Sequence, residues 1–350
     1  MHLLPNPFPV PRLLLGGLVA LLLGAGPVVA GAQPAPPGQP AAPAAAERRS
    51  INDWLMRIHE ASRRRAYAGT FVVSNAVSMS SARIWHVCDG EQQMERVEAL
   101  TGPPRLTFRH NDQVATFLPE LRVVRTDRRE SLGLFPGLLL SADAAIPDFY
   151  TVRPIALLRA ERVAGYDADV VLLAPRDALR FGYRVWSEKK SGLVVKLQTL
   201  DADGTVLEQA AFSELLLDAP VRMDKLAQQM ARTEGYRVEK SNLVKTTPAI
   251  EGWWLKSVVP GFKSMDCYRR PVGNSPVGTG PMQCVFSDGL ASVSLFVEPF
   301  DAERHRQETA MALGATLTLT RRMGDWWLTA VGEVPAQTLQ AFAQSLERRK

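Results

Sequence analysis

The period of the apolar positions changes several times along this chain, and each change marks an element. Ile51, Trp54, Leu55 and Ile58 recur at i, i+3, i+4 and i+7, the spacing that lines one face of a helix. Ser50 before them and Asp53 three residues on form a capping-box pattern, so a helix is expected from residue 50 to about residue 65. Beyond it the period drops to two. Tyr67 to Ser74, Ala82 to Val87, Arg105 to Arg109, Val114 to Leu118 and Leu121 to Arg125 read as short strands, reversed at a Ser-rich turn and at Asn111-Asp112. Tyr183 to Trp186, Leu193 to Leu200 and Val206 to Leu217 read as a three-stranded antiparallel meander. Its turns fall at Lys189-Lys190-Ser191-Gly192 and Asp201-Ala202-Asp203-Gly204.

Helical spacing returns at Met223, Leu226, Ala227 and Met230, with Gly235 as its stop. Lys240 to Ile250 is polar and carries Thr and Pro, as a hinge does. From about Gly252 onward, strands alternate with two expected helices. One is capped by Asp301 and ends near Gly314. The other starts at Pro335 and carries the stripe Leu339, Phe342, Ala343 and Leu346. The indole pairs Trp253-Trp254 and Trp326-Trp327 sit at strand starts, where alternation sends one of each pair inward and its neighbour outward. Ser131 to Leu158 separates the two strand groups. Its cluster Leu132, Leu134, Phe135, Leu138 and Leu139 either fills the core or forms a flexible apolar cover over a cavity fit for acyl chains.

The ends of the chain change the picture. Arg12, the apolar run Leu13 to Leu23, the breaker Pro27 and the small residues Ala30-Gly31-Ala32 have the form of an export signal covering 1–32. A retained anchor is the competing reading, because the run with its flanks approaches the ~18–20 residues of a span. Residues 33–48 are largely Pro, Ala, Gly and Gln and hold no large apolar side chain, so ordering them gains nothing; this is a tether. The remaining chain has room for two domains of about 100–200 residues each: 49–220, a linker helix and hinge at 221–250, and 251–350. The mature protein is expected in the periplasm.

The net charge of +5 falls to +4 once Arg12 leaves with the signal. Short basic runs such as Arg63-Arg64-Arg65 and Arg321-Arg322 are scattered, as solvated surface is. Export argues against a nucleic-acid partner, while an acidic protein or lipid head group remains open. Cys267 and Cys284 flank a Pro- and Gly-rich loop in a compartment that permits a disulfide, the alternative being two buried thiols. Cys88 is expected as a buried strand residue.

Catalytic and metal signatures are lacking. Past the signal, His59, His86, His110 and His305 are dispersed, with no pair at ligand spacing, and they read as surface or helix-face residues. Gly273-Asn274-Ser275-Pro276-Val277-Gly278 has the wrong spacing for a nucleophile elbow. Asp201-Ala202-Asp203-Gly204 starts like a calcium loop, but residue 212 is Phe where an acid is needed. No enzyme, metal site or cofactor is expected.

Several short motifs keep a distinctive order. Tyr67 to Phe71, Asn111-Asp112 and Tyr183-x-x-Trp186 lead to Asp203-Gly204-x-x-Leu207-Glu208-Gln209. Then come Trp254-Leu255, Pro260-Gly261-Phe262, Arg269-Arg270-Pro271, Ser287-Asp288-Gly289-Leu290 and Val331-Gly332-Glu333-Val334-Pro335. In this order, after an export signal, the chain resembles the MucB/RseB family of periplasmic regulators of the envelope-stress sigma factor sigma-E, over essentially its whole mature length. The resemblance implies an α+β protein. Its large N-terminal domain would be a curved antiparallel half-barrel sheet covered by helices, like the periplasmic lipoprotein carriers; its small C-terminal domain would be an antiparallel sheet with helices. It also implies a partner, the periplasmic segment of an anti-sigma factor such as RseA or MucA, shielded from proteolysis until lipopolysaccharide or another acyl lipid displaces the regulator. On that reading Arg269, Arg270 and the outward member of Trp253/Trp254 are candidates for the partner surface, and a homo-oligomer is allowed. The competing reading is a periplasmic lipid or lipoprotein carrier, which has no need of the second domain. A hydrolase comes third, without a locatable base or nucleophile.

Overall fold

The computed structural model describes residues 51–128, 135, 146–154, 161–240, 243–269 and 280–349. The first helix, α1 (Ile51–Arg64), buries Trp54, Leu55 and Ile58, the stripe its spacing dictates. The strands β1 (Tyr67–Asn75), β2 (Met79–Cys88), β3 (Gln93–Ala99), β4 (Leu106–His110), β5 (Gln113–Leu118) and β6 (Val123–Arg128) come next as consecutive antiparallel neighbours. The tight reversal between β4 and β5 works because Asn111 accepts a left-handed φ of 53°. After one turn of helix, α2 (Ile146–Phe149), come β7 (Tyr150–Pro154), β8 (Glu161–Val163), β9 (Tyr166–Pro175), β10 (Gly182–Glu188), β11 (Val194–Leu200) and β12 (Val206–Leu217). The meander over β10, β11 and β12 is present as its turn residues predicted. Asp201 shapes its second turn by accepting the amides of Asp203 and Thr205 on Oδ1, so this Asp-rich stretch is a hairpin turn.

Pairing of β1 with β12 joins the two halves into one sheet, of 13 strands among the described residues. A helix, α3 (Met223–Ala231), and the strand β13 (Arg237–Lys240) complete it, and β13 pairs with β6 in parallel. That parallel edge departs from the all-antiparallel expectation. The helix between the antiparallel body and β13 lets the chain cross over before it pairs. Strand alternation assigns the covers to opposite faces. Helix α1 packs on the face that carries Tyr183, Val185 and Val171. Helix α3 packs Leu226 against Met94, Phe108 and Phe117 on the other face.

The second sheet has seven strands among the described residues. They are β14 (Val244–Thr246), then, after the short strand β15 (Trp253–Leu255), β16 (Lys263–Arg269), β17 (Met282–Ser287), β18 (Ser292–Pro299), β19 (Ala310–Leu313), β20 (Thr316–Met323) and β21 (Trp326–Gly332). The last helix, α4 (Ala336–Ser345), lays Leu339, Phe342 and Ala343 on this sheet, and β22 (Leu346–Arg348) closes against β15. Cys267 and Cys284 stand opposite each other on β16 and β17 and are joined as a disulfide. Of the two indole pairs, Trp253 and Trp327 are buried while Trp254 and Trp326 are half-buried. Trp326 meets Trp253 edge to face with ring centres 5.6 Å apart, so both pairs serve this core.

Three expectations are corrected. The helix capped by Asp301 is absent. Asp301 does accept the amides of Glu303 and Arg304, the local bonds of a helix cap, but these bonds also make a simple turn. The only large apolar residues between it and Gly314, Met311 and Leu313, have period two and form edge strand β19. Cys88 ends β2 half-buried rather than buried, with its thiol raised by partial burial. His86 and His305 are not surface residues: His86 stacks on Tyr67 at 4.8 Å, and His305 stacks on Trp327 at 4.8 Å with Nε2 toward Glu298.

Candidate ligand cavity between the two sheets

The two sheets meet around one buried cation. Arg180, in the loop before β10, has a side chain with no exposed surface, and its Nε donates to Asp288 Oδ2 at 2.6 Å. Its other nitrogens donate to Asp177 Oδ2 and to the carbonyl of Pro260. The guanidinium lies over Phe149 of the first sheet's α2 at 4.2 Å and over Phe262 of the second domain at 5.0 Å. Arg fits here because its planar fork bonds in several directions while its faces stack on rings. Asp288 is equally committed. Its Oδ1 accepts the amides of Leu290 and Ala291, and its Oδ2 also accepts the Tyr150 hydroxyl at 3.2 Å. Gly261 has φ +81°, and a Cβ there would lie 2.1 Å from Arg180 Nη2; only glycine permits this approach. On the far side, Thr338 Oγ1 of α4 donates to the Leu179 carbonyl at 2.7 Å, and Gln337 Nε2 donates to that of Ala178.

Beside this joint lies a cavity of about 360 Å³, within the size range of small-ligand sites. Its floor is the α1 side of the large sheet: Phe71 and Val73 of β1, Val97 of β3, Leu197 of β11 and Ala210 of β12. Phe135 closes it, with its ring centre 5.5 Å from that of Phe71 and 5.2 Å from that of Phe212. The second domain contributes Leu290 and Glu333. Much of the rest of the lining is polar: Ser80, Ser81, Thr101, Tyr183, Thr199, Glu208, Glu333 and the exposed Arg105.

The carboxylates are perturbed. Glu208 is half-buried, and loss of hydration raises it, opposed by the amide of Ala315 that it bonds. Glu333 is solvent-exposed by surface area although protein crowds around it; desolvation raises it, and the charge of Glu208 raises it further. Tyr183 has its phenol pushed well up by burial and then by Asp288 and Glu333. Its hydroxyl is fully enclosed by protein and interacts with that of Tyr150.

Of the partner-surface candidates, Trp253 is buried in the core, and Trp254 is half-buried beneath the Arg349 guanidinium at 5.0 Å. Arg269 clasps Glu251 through Nε and Nη2 and donates to the Gly280 carbonyl; Arg270 lies outside the described residues. Of the acyl-cover candidates, Phe135 lines the cavity, while Leu132, Leu134, Leu138 and Leu139 lie outside the described residues, as does the 273–278 stretch. Arg180, Glu208 and Glu333 were not singled out as site residues. Glu208 and Glu333 stood inside quoted motifs; Arg180 carried no signal, because its partner Asp288 lies 108 positions away. No group of three or more metal-binding side chains occurs among the described residues.

Fold and cavity together define a two-domain, sheet-rich binding protein. The chain belongs to the MucB/RseB family: the model of the MucB/RseB N-terminal domain matches residues 50–230, and that of the C-terminal domain matches 247–347. It is 29% identical over 301 residues to the sigma factor AlgU regulatory protein MucB of Pseudomonas aeruginosa, covering 84% of this chain and 90% of that protein. It is 23% identical over 302 residues to the sigma-E factor regulatory protein RseB of Escherichia coli, covering 84% and 89%. A solved MucA/MucB complex from Pseudomonas aeruginosa aligns with a TM-score of 0.64 at 26% identity, covering 85% of this chain and 99% of that one.

Proposed function

We propose that this protein is a non-catalytic periplasmic regulator, exported by a cleaved signal. It binds the periplasmic segment of a MucA- or RseA-like anti-sigma factor and shields that segment from proteolysis. An acyl lipid, lipopolysaccharide foremost, releases it. Support for the partner comes from family membership and from the MucB relative solved with MucA. Support for the sensing half comes from one observation: a cavity with an apolar floor takes its walls from both domains. A ligand entering there changes the energy of the joint, and a site that spans a joint can bias two arrangements of it. Release then requires the lipid to favour the partner-free arrangement, which is linkage. Among the described residues no helix is long and apolar enough to cross a membrane. The test is protection. Residues 33–350 should slow cleavage of the anti-sigma segment by a periplasmic protease, and lipopolysaccharide should restore the rate. An unchanged cleavage rate in the presence of the protein overturns the proposal.

A further inference from the structure

We propose that the large sheet carries, on the face opposite the cavity, a binding site for a phosphate monoester, formed by Arg184 of β10, Lys196 of β11 and Gln209 of β12. The site does not depend on the acyl reading of the cavity. Strand alternation sends Tyr183, Val185 and Leu197 to the α1 side and Arg184, Trp186, Lys196 and Gln198 to the other. Arg184 stands opposite Gln198, Gln198 opposite Gln209, and Trp186 opposite Lys196. Helix α3 packs farther along this face, on Met94, Phe108 and Phe117. Arg184, Lys196 and Gln209 stay half-buried.

The polar side chains are bonded in one direction. Arg184 Nη1 donates to Gln198 Oε1 at 3.1 Å, and Gln198 Nε2 donates to Gln209 Oε1 at 2.7 Å. Both amide oxygens are thus taken, so the cluster ends on donors: Arg184 Nη2, the Gln209 amide nitrogen and the Lys196 ammonium. None of these has an acceptor among the described residues. Neither cation has an ion pair there, whereas Arg96 and Arg109 of the same sheet each pair with an acid. They lie over one indole instead, with Lys196 Nζ 4.3 Å and Arg184 Cζ 5.9 Å from the ring centre of Trp186. Stacking of this kind attracts the charge but satisfies no N–H group. Glu161, which accepts the Trp186 indole N–H, offsets one charge at most. Burial lowers the Lys196 ammonium, with Glu161 opposing and Arg184 adding to the effect. Like charges on facing strands repel, and an anion shared between them removes the repulsion. A phosphate monoester carries about −1.5 to −2 charges and three acceptor oxygens, which match two cations and three donors. A carboxylate brings one charge and two oxygens.

The probes are inorganic phosphate, dodecyl phosphate below its micelle-forming concentration, and acetate. Each is titrated calorimetrically into residues 33–350 at a pH above the second phosphate ionisation, near about 6. Both phosphates should bind about tenfold more tightly than acetate, and R184Q/K196Q should weaken both by about tenfold. Lys196→Arg, which keeps the charge, should stay within about threefold of the unsubstituted protein. Equal affinities for the two phosphates support a free phosphate ester as the ligand; tighter binding of dodecyl phosphate, lost in the same variant, supports a lipid head group. Dodecyl phosphate binding that survives in R184Q/K196Q belongs to the cavity, and overturns this site while leaving the acyl reading intact. Phosphate that binds no more tightly than acetate overturns it as well. In the unsubstituted protein, added phosphate should shift the side-chain NMR signals of Arg184 and Gln209, and shifts confined to other residues would count against the site.

Discussion

At the scale of single residues, Arg180 and the two cavity glutamates carry the strongest consequences. Arg180→Met leaves Asp288 buried without its cation, a change that costs about 3–5 kcal/mol when one partner of a buried pair is removed. The midpoint of urea unfolding should fall accordingly, and an unchanged midpoint would show that the joint does not depend on this pair. Gly261→Ala should lose about 1–3 kcal/mol by the same assay, since φ +81° and the 2.1 Å approach to Arg180 both oppose a Cβ. The glutamates act through pH. Both are raised in the folded protein, so the native state holds protons that the unfolded state has released. Stability from this source is therefore present below the ordinary glutamate value and is lost as pH rises through the elevated ones. An E208Q/E333Q variant should flatten the decline in melting temperature just above the usual glutamate range. The acids of Glu251 and Asp301, both lowered, work in the opposite sense, with stability lost as pH falls through their depressed values.

At the scale of elements, pattern and structure agree where apolar residues keep a clear period or recognisable turns bound the segment. Helices α1, α3 and α4 and the meander over β10, β11 and β12 match their periods closely. Strand β3 escaped because it holds few apolar residues and its two largest face opposite sides. Met94 points to the α3 side and Val97 to the cavity side, which erases the alternation that marks a half-buried strand. Strand β19 was hidden by a cap signal that turns and helices share. The disulfide between β16 and β17 was legible as a possibility from loop composition, and cross-strand pairing realises it. Closing a loop of 17 residues' separation should stabilise by roughly 3 kcal/mol on the chain-entropy account. Reduction should add two hydrogens to the mass of the linked peptides and lower unfolding stability by about that amount. No mass change on reduction would contradict the bridge.

At the scale of the whole molecule, three of the motifs that carried the family resemblance, from distant parts of the second domain, meet at the joint. Pro260-Gly261-Phe262 and Ser287-Asp288-Gly289-Leu290 grip Arg180, and Val331 to Pro335 supplies Glu333 and leads into α4. Their chemistry was readable one motif at a time. Their meeting place was not, because one chain read in order holds no information on which distant residues touch. On the proposed reading, occupancy of a cavity walled by both domains and the arrangement of those domains are two sides of one equilibrium. The most direct test is retention of purified residues 33–350 on an immobilised periplasmic segment of the cognate anti-sigma factor, repeated with lipopolysaccharide added. The account predicts retention that the lipid abolishes. Retention indifferent to lipid would contradict the coupling, and no retention, with lipid or lipoprotein co-purifying instead, would make the protein a carrier.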